Sequence, residues 1–253
     1  MSLAGVHRRQ FQWRDWPTIL DALPPLAGQT VLDLGCGVGD LAAELVARGA
    51  RVIGFDMNEE LLREARSRGL ANAEFRQADL RSPAALGVRA DGLWGSFIAA
   101  YFPDLAGALR SWALALRPGG WAALTEIDDL FGHEPLNAGI KSILDDYARD
   151  ALDAGRYDFH MGGKLAGDLE RAGFTVSVTL TLTDHELAFD GPAPLDVIEA
   201  WRNRFDRMQP LREFCGADFE RVRGEFLDCL SRTDHRSTAR VVCCIGRTEG
   251  PPA

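Results

Sequence analysis

The chain has 253 residues, room for one large domain or a core carrying a cap, and its 46% hydrophobic and 26% charged residues are the balance of a soluble globular protein. Thirty-seven acidic residues against 28 basic ones leave a formal charge of −9, a field that disfavours nucleic acid and anionic membranes as partners. No apolar run approaches the roughly 20 residues that span a bilayer, and no apolar signal core follows the basic residues of MSLAGVHRRQFQWRDW, so a cytoplasmic protein is expected.

Taken in order, FQWRDWPTILDAL places Phe11, Trp13 and Trp16 just ahead of a helix. TVLDLG (30–35) is a short apolar run before glycine, hence a buried strand. DLAAELVARG (40–49) has apolar residues at helical spacing and closes on Gly49. RVIGFD (51–56) is a second strand, EELLREARSRG (59–69) a second helix, and AEFRQAD (73–79) a third strand. DGLWGSFIAA (91–100) is a fourth strand. LAGALRSWALALRPGG (105–120) is a helix ended by Pro118-Gly119-Gly120, and WAALTEID (121–128) is a fifth strand. Strands alternating with helices at these spacings imply a doubly wound α/β fold with a mostly parallel sheet covered on both faces. Ligands of such sheets bind beyond the carboxyl ends of the strands. Here those ends are Gly35, Asp56, Asp79, residues 96–101 and residues 126–129.

The second half is less regular. Residues 134–155 read as helical, KLAGDLERAG (164–173) as a helix, and FTVSVTLTLTDHEL (174–187) as a strand with one polar side. Residues 194–208 and 217–231 read as helices, ARVVCCIGR (239–247) as a last strand, and TEGPPA as a frayed tail. The five cysteines show neither C-x-x-C nor zinc-ligand spacing, so no metal is expected. Cys36 is a small residue filling a tight turn, and Cys243-Cys244 are thiols on a strand.

The stretch VLDLGCGVGD carries the chemistry. Glycines at a strand end permit positive φ and let a ligand approach the backbone, and the next helix presents free N–H groups. The spacing is G-x-G-x-G, and the sixth position, where a dinucleotide site needs a third glycine, is Asp40. An acid there repels a pyrophosphate, and no Gly-Lys-Ser/Thr follows to make a P-loop. The turn therefore favours a nucleoside with few or no phosphates. Asp56 lies about 20 residues on, where an acid accepts hydrogen bonds from both ribose hydroxyls. Asp79 is placed to meet an adenine amine, Leu80 to pack on the ring, and Asp33 to receive a cationic ligand from beneath the turn.

The segments VLDLGCGVG, VIGFD, ADL and LRPGGWAALTE, in this order, resemble the class I S-adenosylmethionine-dependent methyltransferases. The resemblance covers residues 28–128 and, more loosely, 162–183 and 239–247. It implies a Rossmann-like methyltransferase fold of seven strands with the last inserted antiparallel. It implies S-adenosyl-L-methionine as donor and S-adenosyl-L-homocysteine as product. On this resemblance Gly35, Gly37 and Gly39 take the methionine part, Asp56 the ribose and Asp79 the adenine. Met57 lies beside the adenine, and Asp33 is the acid of the turn. In related small-molecule enzymes the N-terminal segment closes over the donor, so Arg14 is a candidate for its carboxylate and Trp13 or Trp16 for a cation–π contact. Anchoring of the first helix is the other role for these aromatics.

Methyl transfer needs alignment more than acid–base help, so the acceptor side is less legible. Tyr101 and Phe102 are candidates to line the pocket or to pack a helix. His133 is a candidate base after the fifth strand, Asn137 a candidate to orient a carboxylate or amide, and Tyr157 and His160 lie on a loop that faces the substrate or merely connects. The core is expected over about 17–128, 162–183 and 239–247, in one domain, with cap elements at about 1–16, 129–161 and 185–238. A capped pocket in an acidic chain points to a small-molecule substrate, a secondary metabolite or amino-acid derivative, methylated on O or N. Monomer and homodimer both stay open. Three alternatives remain: a cyclase or lyase that acts on the donor itself, an RNA or protein methyltransferase, and a purely binding role.

Overall fold

Val31, Leu32 and Leu34 stand on both faces of one short run, so that run must be covered from both sides. It is β1 (Thr30–Leu34), central in a sheet of the computed structural model, which describes residues 3–82 and 87–249. β1 pairs in parallel with β2 (Arg51–Asp56) and β4 (Ala90–Ser96). β3 (Ala73–Gln77) extends the sheet beyond β2, and β5 (Leu116–Asp128) lies beyond β4. The final β9 (Arg240–Thr248) inserts antiparallel between β5 and β7 (Phe174–Leu182), giving seven strands in the order β3-β2-β1-β4-β5-β9-β7. This is the expected Rossmann-like architecture with its last strand reversed. The edge strand β7 alternates between exposed and partly buried positions, as its Thr/Val pattern implies.

Two apolar clusters cover the faces. Leu32, Leu34 and Phe55 pack with Leu109 and Trp112 of α5 (Leu105–Ala113) and Leu169 of α7 (Leu165–Arg171). On the other face Val31 and Val52 meet Ile19 of α2 (Trp16–Ala22), Leu45 of α3 (Asp40–Ala47) and Leu62 of α4 (Glu59–Ser67). That second cluster runs on into a helical cap of α6 (Ala138–Asp153), α8 (Leu195–Arg207), α9 (Gln209–Cys215) and α10 (Phe219–Leu230), through Tyr147, Trp201 and Phe226. A two-stranded ribbon, β6 (His133–Glu134) with β8 (Arg236–Ser237), closes the cap, and α1 (Leu3–Phe11) precedes α2.

Several boundaries differ from expectation. α5 stops at Ala113, and Pro118-Gly119-Gly120 lie inside β5, where the pairing with β4 jumps from Ala90–Leu116 to Gly92–Trp121. β3 ends at Gln77, two residues before Asp79. The helix expected over 134–155 starts at Ala138, because Asn137 accepts hydrogen bonds from the N–H groups of Gly139 and Ile140 and caps it. α1 and α9 were not foreseen. In the tail, residues 250–253 lie outside the described residues. No helix among the described residues is long and apolar enough to cross a membrane.

Gly92 shows how tightly β4 and β5 are keyed. The Trp121 indole is fully buried against it and donates to Gln29 Oε1 at 2.8 Å, and a Cβ on Gly92 would lie 2.1 Å from the ring. Gly92→Ala should therefore destabilise the fold by about 1–3 kcal/mol or more, read as a lower urea midpoint at unchanged slope, with Trp121→Phe in the same chain recovering part of the loss.

Candidate functional site

The turn after β1 is held open by backbone. Gly35, Gly37 and Gly39 take φ of 72°, 53° and 75°, a region that ordinary side chains avoid. The N–H groups of Gly35 and Cys36 both donate to Phe55 O, at 2.8 and 3.0 Å, which ties the turn to β2. A Cβ on Gly35 would lie 2.2 Å from the Ile98 methyl, and one on Gly37 would lie 3.2 Å from the His7 ring. Gly39 is the N-cap of α3 and packs on Phe75 and Ala65, away from the opening.

Two carboxyl groups stand under this turn. Asp56, at the end of β2, accepts from Gly37 N–H at 2.9 Å through one oxygen and from Asn58 N–H at 2.8 Å through the other. Each oxygen keeps a lone pair free for a further donor. Asp33 is 2% exposed, and its Oδ2 has no hydrogen-bond partner among the described residues. Burial, with Asp56 adding to it, pushes the Asp33 carboxyl up to about 7. An unpartnered buried acid beside the turn calls for a cationic group, and the free lone pairs of Asp56 suit a diol. Cys36 is not a nucleophile here, since burial and then Asp33 and Asp56 drive its thiol far up.

Above the turn opens a cavity of ≈ 440 Å³. Its floor carries Asp33, Asp56 and Asp40, the last paired with Arg68. His7 and Gln10 of α1, with Trp16, cover one side, and Tyr101, Tyr157 and Leu130 form another. Phe97 sits in the wall with a φ of 57°, unusual for a bulky residue, held by its N–H to Thr125 O at 2.8 Å. Beneath Tyr101 the fully buried Glu126 accepts from the N–H groups of Ala100 and Ile127, and burial raises its carboxyl to about 7 despite those bonds.

A buried ionic network roofs the cavity. Arg14 Nε lies 3.0 Å from Asp184 Oδ2 and its Nη2 lies 3.5 Å from Glu186 Oε2, while its guanidinium stacks 4.4 Å from the centre of the Phe97 ring. Arg204 Nη2 donates to Glu186 Oε1 at 2.6 Å, and Gln10 donates to the same oxygen. Burial pushes Glu186 up, but Arg204 and Arg14 outweigh it and hold the carboxyl below its ordinary value. Burial raises Asp184, with Arg14 opposing.

Asp33, Gly35, Gly37, Asp56, Arg14 and Tyr101 all line this cavity. Met57 does not; its side chain is 56% exposed at the rim, and its carbonyl accepts from Gln77. Asp79 is exposed and paired with Arg81 at 3.0 Å. Leu80 lines a smaller neighbouring hollow of ≈ 240 Å³, which shares Tyr101 with the main cavity, and its carbonyl accepts from Trp112 Nε1. Two acceptor-side expectations are corrected. His133 is 2% exposed inside an aromatic nest of Trp201, Phe226 and Phe189, bonded to His235 at 3.0 Å, and it does not reach the cavity. Asn137 spends its side chain capping α6. The sequence reading missed His7 and Gln10, because α1 carries no cap or glycine signal, and Arg204 and Arg207, which lie in the stretch 194–208 read only as a helix. The available signal was their spacing of three beside Trp201, which puts both on one helix face.

Comparison with known proteins agrees with this geometry. Residues 31–120 match the family described as "Methyltransferase domain". The chain is 34% identical over 177 residues to nocamycin O-methyltransferase of Saccharothrix syringae, covering 62% of each chain. It is 28% identical over 174 residues to the ubiquinone biosynthesis O-methyltransferase of Albidiferax ferrireducens, covering 64% of each. The alignments thus span less than two thirds of these relatives' lengths. An S-adenosylmethionine-dependent methyltransferase from Mesorhizobium loti shares the fold, with a TM-score of 0.53 at 21% identity over 92% of this chain and 97% of that one.

The His133–His235 pair has a consequence for stability. His235 Nδ1 lies 3.0 Å from Gly191 O, so it donates there, and its Nε2 then accepts from His133 Nδ1–H. Burial, with His235 adding to it, lowers His133 from 6.5 to about 3. The unfolded chain takes the proton first, so this group's contribution to stability is lost as pH falls from 6.5 towards 3, at up to about 1.4 kcal/mol per pH unit. Thermal melting should drop between pH 7 and 5, and His133→Phe should flatten that dependence; an unchanged slope in the variant would contradict the neutral-pair assignment.

Proposed function

We propose that this chain, which belongs to the class I S-adenosylmethionine-dependent methyltransferases, transfers a methyl group to an oxygen or nitrogen of a small-molecule acceptor and releases S-adenosylhomocysteine. The observation that carries this reading is the meeting of an unpartnered buried acid, Asp33, with Asp56 and a bare glycine turn on the floor of a capped cavity. When bound, S-adenosylmethionine supplies a methyl group on a sulfonium, a leaving group that needs no protonation.

The chain's own residues bind, orient and shield. Asp33 offers a carboxylate to an ammonium, Asp56 offers both oxygens to a ribose diol, and Gly35 and Gly37 let the ligand lie on backbone. Asp79, Leu80 and Met57 are proposed for the adenine end, at the rim and the adjoining hollow that Tyr101 joins to the main cavity. Arg14 is proposed for the donor's carboxylate, already oriented by Asp184 and Glu186. α1 lays His7 and Gln10 over the turn and so keeps water out. Tyr101 and Tyr157 meet edge to face at 4.9 Å and form the acceptor wall. Burial, with Glu126 adding to it, holds the Tyr157 phenol well above its ordinary value, so it stays protonated and serves as a hydrogen-bond donor. The names of the two curated relatives favour oxygen as the atom methylated. The cap over the cavity and the net charge of −9 favour a small acceptor over RNA.

Incubation with S-adenosylmethionine should yield S-adenosylhomocysteine only when a hydroxylated or aminated small molecule from a screening panel is added. Donor breakdown without any acceptor would favour the cyclase or lyase alternative, and label transfer to RNA or protein would also overturn the reading. Ligand binding should report Asp33. Its carboxyl sits near 7 in the free protein, and an ammonium favours the ionised form, so S-adenosylhomocysteine should bind more tightly as pH rises from 6 to 8. The limit is about tenfold per unit below pH 7. Asp33→Asn should weaken binding and abolish the pH dependence, measured by calorimetric titration.

A further inference from the structure

The cavity is electrically two-sided. Its acids, Asp33, Asp40 and Asp56, all sit on the β1–β2 side, at or beneath the glycine turn. Its arginines, Arg14, Arg204 and Arg207, come from the N-terminal segment and α8 on the other side. Asp184 and Glu186, which pair with Arg14 and Arg204, are fully buried and do not line the cavity. The carboxylates stand behind the guanidiniums and the guanidiniums face the opening.

The three arginines are not equivalent. Arg14 lies against two carboxylates and the Phe97 ring and is the one proposed for the donor's carboxylate. Arg204 gives one Nη to Glu186, while its Nε is buried with no hydrogen-bond partner. Arg207, one turn further along α8, makes no hydrogen bond or ion pair among the described residues. Arg204 is thus held by Glu186 and, at 5.2 Å, by the Trp201 ring, with its Nη1 uncommitted among the described residues, and Arg207 adds an unpaired charge beside it. The same cavity is lined by the phenols of Tyr101 and Tyr157 and by the apolar Leu130 and Leu187.

Resting on the methyltransferase reading above, we propose that Arg204 and Arg207 form an oxyanion subsite, and that the acceptor is a small molecule ionised at neutral pH. Its chemical class is a delocalised oxyanion: a carboxylate or the enolate of an acidic enol. A guanidinium pair matches such a group in charge and in planar geometry. It also lowers the acid's pKa, so the acceptor arrives without its proton and no general base is required. The acceptor oxygen forms the new O–CH₃ bond as the S–CH₃ bond breaks, and the bonding pair leaves on sulfur. The negative acceptor and positive sulfonium become a neutral ester or enol ether and a neutral thioether, with no proton to dispose of.

The test is calorimetry with two isosteric probes, salicylate and the neutral salicylamide, titrated into the full chain with and without saturating S-adenosylhomocysteine. Salicylate should bind at least about tenfold more tightly than salicylamide. Arg207→Gln and Arg204→Lys should each shrink that preference at least about threefold, the lysine keeping its charge for Glu186 but losing the planar fork. The affinity for S-adenosylhomocysteine should stay within about twofold in both variants. Equal binding of the two probes, or binding of neither, overturns the subsite. So does a loss of S-adenosylhomocysteine affinity in the variants with the salicylate preference intact, which would assign the arginines to the donor. The methyltransferase reading fails separately: the unaltered protein would not bind S-adenosylhomocysteine at all, while a salicylate preference that the arginine variants remove would keep the anion subsite.

Discussion

The donor side of the molecule depends on one constraint, the anchoring of the β1 turn to the end of β2. Phe55 O takes two consecutive N–H groups, and the Asp56 carboxylate takes a third from Gly37. These bonds leave no freedom to the turn, so the three glycines hold positive φ as a single rigid feature. The same anchoring brings Asp56 near Asp33, and burial, with Asp56 adding to it, pushes the enclosed and unpartnered Asp33 carboxyl up. A buried acid held near neutrality is an unfavourable arrangement for the free protein, and one that a bound cation would relieve.

The second constraint works from above. Glu186 collects Gln10 and Arg14 from the N-terminal segment and Arg204 from α8, and its carbonyl also takes the Trp201 indole N–H. Buried ion pairs give little net stability but define geometry. Here they fix α1 and α8 against the β7 exit and so set the height of the roof over the turn. The floor and roof carry opposite charge, an arrangement suited to bringing a sulfonium and an anion together while excluding water.

The alternation of strands and helices could be read from the chain because it rests on local signals, whereas the seven strands with the last one antiparallel followed only from the family resemblance. Of the residues expected at the donor, Asp33, Gly35, Gly37 and Asp56 line the cavity and Gly39, Met57, Asp79 and Leu80 do not. Apolar runs, helix-closing glycines and an acid after β2 each act over a few residues. Boundaries blurred where tertiary pairing overrode them, as at Pro118-Gly119-Gly120, whose breaker chemistry is absorbed by a shift in register beside Gly92. The acceptor side was far less legible. His133 follows a strand end and titrates near neutrality in isolation, so it looks like a base; only the fold shows Trp201 and Phe226 closing around it. Arg204 and Arg207 look like any charged helix face until Glu186, 18 positions from Arg204, is seen behind them. Contacts made across such distances leave no periodic trace in a single sequence.

The measurement that bears most directly on this account is calorimetric titration of the protein and its Asp56→Ala variant with S-adenosylhomocysteine at neutral pH. The account predicts binding in the micromolar range, about −8 kcal/mol, and a loss of at least about tenfold in the variant, since Asp56 anchors the turn and is the residue proposed for the diol. Absence of binding by the unaltered protein, or equal binding by the variant, would contradict it and leave the glycine turn as structure alone.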